Sequence, residues 1–303
     1  MDLFNSDQLK QLQNQLEQNQ YFADLDLIIS IFLSNNLERP LFIEGEPGVG
    51  KTEIAKVMAN VLNAELIRVQ CYPGMESDEI LYEWNYLKQI LSLRMKEDQL
   101  NEANKKIHYM DLFSKEFLIA RPLMKAITQE KPVVLLIDEI DRADERFEAY
   151  LLEYLSDFQI SVPELGTIKA LNTPYVTITS NSTRDIHDAL KRRCIYQWID
   201  FPSYEKEKSI VLSKTNDLSA KMAEQICVFM SVIRQYPFEK KPGLSETLDW
   251  AEVVTQLEIN ELFHKDIAKT FGCLFKSKED VSLAENLLEQ MFGESKSFLS
   301  RLS

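Results

Sequence analysis

Apolar positions along the chain switch between helical and extended spacing in an ordered succession. Leu9, Leu12 and Leu16 recur at helical intervals in the Gln-rich stretch 6–20. Leu25, Ile28, Ile29 and Phe32 do the same over 21–33, so two helices are predicted before any strand. Leu41-Phe42-Ile43 then predicts a first strand, and 52–62 a helix. A second strand over 65–70 ends at Tyr72-Pro73-Gly74. Residues 80–91 have mostly helical character and 96–108 are highly charged. Residues 117–127 predict a helix with Pro122 at a start or kink. The unbroken apolar run 133–137 suits a strand buried on both faces of a parallel sheet.

Tyr150, Leu151, Tyr154 and Leu155 mark a helix over 145–158. Alternation around Pro163 and Gly166 predicts a hairpin over 159–170. A fourth strand follows over 174–181, then a short helix over 189–194 and a fifth strand over 195–200. Beyond Pro202 the pattern is all-helical: 204–215, 219–235, 245–258, 259–271 and 279–292. Met222, Ile226, Phe229, Met230 and Ile233 form one core stripe there. The chain therefore reads as an α/β domain, 1–202, and a helical domain, 203–303.

Chemistry enters between the first strand and its helix. Gly45-Glu46-Pro47-Gly48-Val49-Gly50-Lys51-Thr52 is a complete G-x-x-x-x-G-K-[ST] phosphate loop, with Glu53 in the turn after it. Its glycines let backbone N–H groups converge on phosphates where a Cβ would obstruct them. Lys51 is placed to reach the β- and γ-phosphates of a nucleoside triphosphate, and the Thr52 hydroxyl to ligate Mg²⁺. At the C-terminal end of the 133–137 strand stand Asp138 and Glu139, where α/β sheets hold ligands. Asp138 is the candidate metal carboxylate and Glu139 the candidate that orients and activates water. Asn181 ends the fourth strand, within reach of the γ-phosphate or that water, and a turn-capping role fits its chemistry too. Arg192 and Arg193 are adjacent cations that either stabilise transition-state charge or simply end a solvated helix.

Composition narrows the choice of partner. The net charge of −14 and pI of about 4.8 disfavour nonspecific nucleic-acid binding. Cys71, Cys194, Cys227 and Cys273 are far apart, as reduced thiols of a cytosolic protein would be. His108, His187 and His264 are scattered, against a zinc site. The first residues lack signal-peptide regions and no run of 18 apolar residues occurs, so a cytoplasmic protein without a membrane span is expected.

This order of signals resembles AAA+ ATPases. Asp138-Glu-Ile-Asp-Arg-Ala143, the 159–170 hairpin and Thr179-Ser-Asn181 resemble the MoxR branch, which usually has Asn where Asp141 stands. Four stretches resemble the narrower carbon monoxide dehydrogenase D-type accessory ATPases: Ala64 to Tyr72, Leu81 to Tyr86, Ala189 to Cys194 and Glu246 to Trp250. The resemblance implies a P-loop αβα sandwich with a five-stranded parallel sheet in the order 5-1-4-3-2 and a helical lid. It implies Gly45, Gly48, Gly50, Lys51 and Thr52 as Walker A, Asp138 and Glu139 as Walker B, and Asn181 as sensor 1. Arg193, with Arg192 as alternate, matches an inter-subunit arginine in a hexameric ring. Such an arginine supplied in trans raises phosphoryl-transfer rates by roughly 10³–10⁵-fold.

Two departures stand out. Thr247 occupies the lid position where many relatives carry an arginine, and 75–116 is a helical insertion by analogy with the family. The expected function is ATP hydrolysis that remodels or matures a client protein or metalloenzyme, with a von Willebrand factor A domain partner. The competing readings are a nucleic-acid loader, a small-molecule kinase and a nucleotide-gated scaffold. A GTPase is disfavoured, because the sequence has no N-K-x-D base-reading signal.

Overall fold

The computed structural model describes residues 6–97 and 112–302. In chain order the strands are β1 (Leu41–Gly45), β2 (Glu65–Gln70), β3 (Tyr82–Trp84), β4 (Leu118–Ala120), β5 (Val133–Asp138), β6 (Gln159–Val162), β7 (Gly166–Lys169), β8 (Tyr175–Ser180) and β9 (Ile195–Ile199). Five of them form one sheet, β2-β5-β8-β1-β9. Counting only those five along the chain, the order is 5-1-4-3-2, as expected. The β2–β5, β5–β8 and β1–β8 pairs are parallel. Every residue of β1, β5 and β8 is buried, as befits central strands of a sheet covered on both faces.

The helices are α1 (Asp7–Gln18), α2 (Leu25–Asn36), α3 (Lys51–Val61), α4 (Ser77–Ile80), α5 (Tyr86–Glu97), α6 (Pro122–Thr128), α7 (Glu145–Asp157), α8 (Asp188–Lys191), α9 (Tyr204–Lys214), α10 (Ala220–Ile233), α11 (Leu244–Gln256) and α12 (Lys278–Leu302). The chain forms two compact units. One comprises Leu25–Glu44 and Thr52–Gln197, with a core built on β5, α6 and α7. The other comprises Met1–Asp24, Gly45–Lys51 and Trp198–Ser303. At its centre the Phe229 ring lies 5.6 Å from Trp250, 6.3 Å from Phe271 and 5.7 Å from Phe292.

Several elements differ from the pattern-based expectation. Residues 80–91 are not one helix: β3 interrupts them and pairs antiparallel with β4. Tyr82-Glu83-Trp84 favours a strand because buried Trp84 packs edge-on against Phe113 at 5.3 Å, and Arg121 pairs with Glu83. Helix α6 therefore starts at Pro122, its first residue, rather than at 117. The charged stretch 96–108 lies mostly outside the described residues. Of 75–116, the described part holds α4, β3 and α5. The 259–271 stretch is a loop, then a 3₁₀ helix over Lys265–Cys273, because Glu258 turns left-handed and His264 caps the new start. Helix α12 runs past 292 to Leu302. Gly293 does not break it, and buried Ser295 bonds back to the Met291 carbonyl at 2.7 Å. Among the described residues no helix is long and apolar enough to cross a membrane.

Candidate functional site

In the unit holding Gly45–Lys51, the phosphate loop is shaped by what its glycines omit. A Cβ on Gly45 would lie 2.2 Å from the Ile199 carbonyl oxygen, so no side chain fits at the end of β1. Gly48 and Gly50 have φ of +75° and +91°, which L residues rarely adopt. The Lys51 ammonium donates to the Gly45 and Glu46 carbonyls, 2.7 Å each, and is buried within the turn. Glu46 and Pro47 are exposed and Val49 is buried. The first turn of α11 braces the same loop. Ser245 N–H donates to the Gly48 carbonyl at 3.1 Å. A Cβ on Gly243 would meet the Pro47 carbonyl oxygen at 2.7 Å. Glu246 caps this helix, accepting from Gly243 N–H at 2.9 Å.

Thr247 has no exposure, and its hydroxyl serves the lid's interior. Arg234 and Glu207 form a buried bidentate pair, 2.7 Å on each arm, and Thr247 donates to Glu207 at 2.6 Å. The Arg234 guanidinium also lies 4.8 Å from the centre of the Phe201 ring and donates to the Pro242 carbonyl at 2.9 Å. These contacts leave Thr247 no direction in which to reach a nucleotide.

In the other unit, the ends of β5 and β8 gather the carboxylates. Asp138 is buried. Its Oδ1 accepts from the Thr52 hydroxyl at 3.0 Å and from the Thr179 hydroxyl at 2.5 Å, and its Oδ2 from Arg68 at 2.6 Å. Thr179 has one proton and gives it to Asp138. Its oxygen then accepts the Glu139 N–H at 3.0 Å, which fixes the backbone of the next acid. Glu139 has a left-handed backbone, φ +56°, a conformation costing about 1–3 kcal/mol in a non-glycine residue. Its carboxylate is held by Gln70 and Arg142, each at 2.9 Å on Oε2, and by Asn181 at 3.4 Å on Oε1. Glu53, in the first turn of α3, pairs with Lys56 at 2.9 Å.

Asp141 organises the turn after β8. It accepts the Asn181 N–H at 3.1 Å, the Thr183 N–H at 3.2 Å and the Thr183 hydroxyl at 2.6 Å. Burial pushes its pKa up, but these hydrogen bonds outweigh that and hold the carboxyl below its ordinary value. Behind the carboxylates, Cys71 is pushed up to about 12, by burial first and then by the charges of Asp138, Asp141 and Glu139. It is a neutral thiol at physiological pH, not a nucleophile.

The arginines sit at the turn after α8, and both are exposed. Arg193 donates to the Ser156 hydroxyl at the C-terminal end of α7 and to the Ala189 carbonyl, 3.0 Å each. Among the described residues neither Arg192 nor Arg193 pairs with a carboxylate, so both charges remain unneutralised. The motif reading missed Arg68, Gln70, Arg142 and Thr179. Sheet register was the signal that could have found two of them: β2 pairs in parallel with β5, and Gln70 lies opposite Asp138.

A complete glycine-built phosphate loop, in a chain that also ends a buried strand on a carboxylate with hydroxyl partners, defines a P-loop nucleotide-binding protein. The chain belongs to the AAA+ ATPases: residues 40–194, just over half its length, match the AAA domain family, dynein-related subfamily. It is 21% identical to an uncharacterized protein of Staphylococcus aureus strain bovine RF122 / ET3-1, over 77% of this chain and 84% of that one. An uncharacterized protein of strain USA300 shows the same identity and coverage. Among solved structures, a Cytophaga hutchinsonii protein is similar at 12% identity and a TM-score of 0.46, covering 91% of this chain and 86% of that one. The RuvB Holliday junction branch migration motor of Thermotoga maritima gives 16% identity and a TM-score of 0.44, covering 86% and 68%.

Proposed function

We propose that the chain hydrolyses ATP with Mg²⁺ and uses the cycle to remodel or mature a client protein, in the manner of the MoxR branch and its carbon monoxide dehydrogenase D-type accessory ATPases. The observation that carries this is the setting of Glu139. It follows the metal-type carboxylate by one residue on a strained backbone, and three side chains orient it. A carboxylate so placed is better suited to activating water than to serving a metabolite kinase. Mg²⁺ fits the donor set, because the Thr52 hydroxyl and Asp138 carboxylate are hard oxygens 3.0 Å apart. When bound, the ion would neutralise charge on the phosphates. Gly50 leaves open space at the loop, and Lys51 would turn to the β- and γ-phosphates. Asn181 would help orient the water.

The exposed, unneutralised Arg192 and Arg193 support a ring, proposed as a hexamer, in which they complete a neighbour's site. A von Willebrand factor A domain protein as partner, a metalloenzyme among the clients and a cytoplasmic location belong to the same proposal. The test is Glu139→Gln, which keeps the side chain's size but removes its charge and one of its two acceptor oxygens. We expect retained ATP and turnover reduced roughly 10²–10⁴-fold, with assembled protein and client recovered together from ATP-containing lysate. Recovery of monomer without nucleotide would overturn the reading.

A further inference from the structure

Within the unit comprising Leu25–Glu44 and Thr52–Gln197 lies a polar cluster, centred on a buried carboxylate, that the nucleotide chemistry does not use. Glu44 is 4% exposed. Its carboxylate accepts from Lys191 at 3.1 Å, from the Tyr196 hydroxyl at 2.9 Å and from the Ser180 hydroxyl at 3.3 Å. The Lys191 ammonium is also 5.4 Å from the centre of the Phe42 ring and 5.8 Å from that of Tyr196. With Lys191 half-buried, removing the cation would leave a buried carboxylate without its charge partner, which is costly. Its geometry is therefore held tightly.

What the cluster touches gives it meaning. Glu44 immediately precedes Gly45 of the phosphate loop. Ser180 immediately precedes Asn181, and Lys191 immediately precedes Arg192. Three functional stretches are thus pinned to one carboxylate, each by the residue before it. A second fastening acts at the other end of β1. Arg39 donates to the carbonyls of Arg192 at 2.6 Å, Arg193 at 3.0 Å and Cys194 at 3.2 Å, satisfying the carbonyls left open where α8 ends. The arginine turn is therefore clamped to both ends of the strand that feeds the loop.

We propose that Lys191 and Arg39 are positioning residues. They register Arg192 and Arg193 to β1, so that a subunit's own phosphate loop sets where it presents its arginines to the next subunit. This rests on the reading that those arginines act in trans. The test compares Glu44→Gln/Lys191→Met, which neutralises the pair together, with Lys191→Arg and with Arg192→Ala/Arg193→Ala. Each is measured for binding of a fluorescent ATP analogue and for kcat of the assembled protein. We expect the pair variant to bind nucleotide as wild type does while kcat falls roughly 10–100-fold, the cost of a small misplacement. Lys191→Arg should recover most of that loss. Unchanged kcat in the pair variant, with the double-alanine variant inactive, would overturn the positioning role. Weakened nucleotide binding in parallel with kcat would overturn it too, by assigning the cluster to the cis loop. Full turnover in the double-alanine variant would instead remove the trans-arginine reading, and the proposal with it.

Discussion

Asp141 is a buried carboxylate whose acceptors are fully employed. It takes three donors from Asn181 and Thr183. Asn has one acceptor oxygen and a donor group, so it would lose part of this set. We expect Asp141→Asn to destabilise the protein by about 0.5–1.5 kcal/mol at neutral pH. The pKa of Asp141 is lower in the folded chain. Its stabilisation is therefore complete above the unfolded value of about 3.9 and fades as pH falls through the lower folded value. Denaturant unfolding of both proteins should show the gap closing below about pH 4, and a gap independent of pH would refute this. The motif residues were legible because their spacing is local: the loop is contiguous, and Asp138 and Glu139 are neighbours. Arg68 and Gln70 were not, because they meet the carboxylates only once β2 lies beside β5.

At the level of elements, legibility followed the length of the pattern. The five strands of the main sheet and the long helices carried a clear pattern. The three-residue strands β3 and β4 are too short to show one, and their pairing across the 33 intervening residues leaves no local trace. The absence of an arginine at Thr247 was visible in sequence, but not the buried Arg234–Glu207 pair that fills the space around that residue. The contact of α11 with the loop was also hidden, because Gly243 reads as an ordinary helix-starting glycine. Gly243→Ala would set a Cβ 2.7 Å from the Pro47 carbonyl oxygen and 2.9 Å from Gly48 Cα, where no side chain can give way. We expect a loss of about 1–3 kcal/mol on unfolding and faster nucleotide release in a stopped-flow chase. Wild-type behaviour on both counts would mean that the lid helix does not brace the loop.

For the whole molecule, the net charge of −14 bears on the loader alternative. We expect ATPase turnover to be the same with and without single- or double-stranded DNA at low salt, where phosphate binding is strongest. Stimulation that vanishes as salt rises would return the nucleic-acid reading to first place. The strand order also governs how the chain is made. β1 emerges early in synthesis, yet it pairs with β8, Leu41 opposite Thr177, and with β9 beyond it. Likewise β2 must wait for β5, Glu65 opposite Val133. The nascent chain therefore carries β1 with open edges while more than a hundred further residues are translated, and β2 while about sixty are. Such long-range pairing is slow and prone to association. The strand that bears the phosphate loop is thus among the first segments made and among the last to find its place, which makes ribosome-bound holding factors a natural requirement for producing this protein.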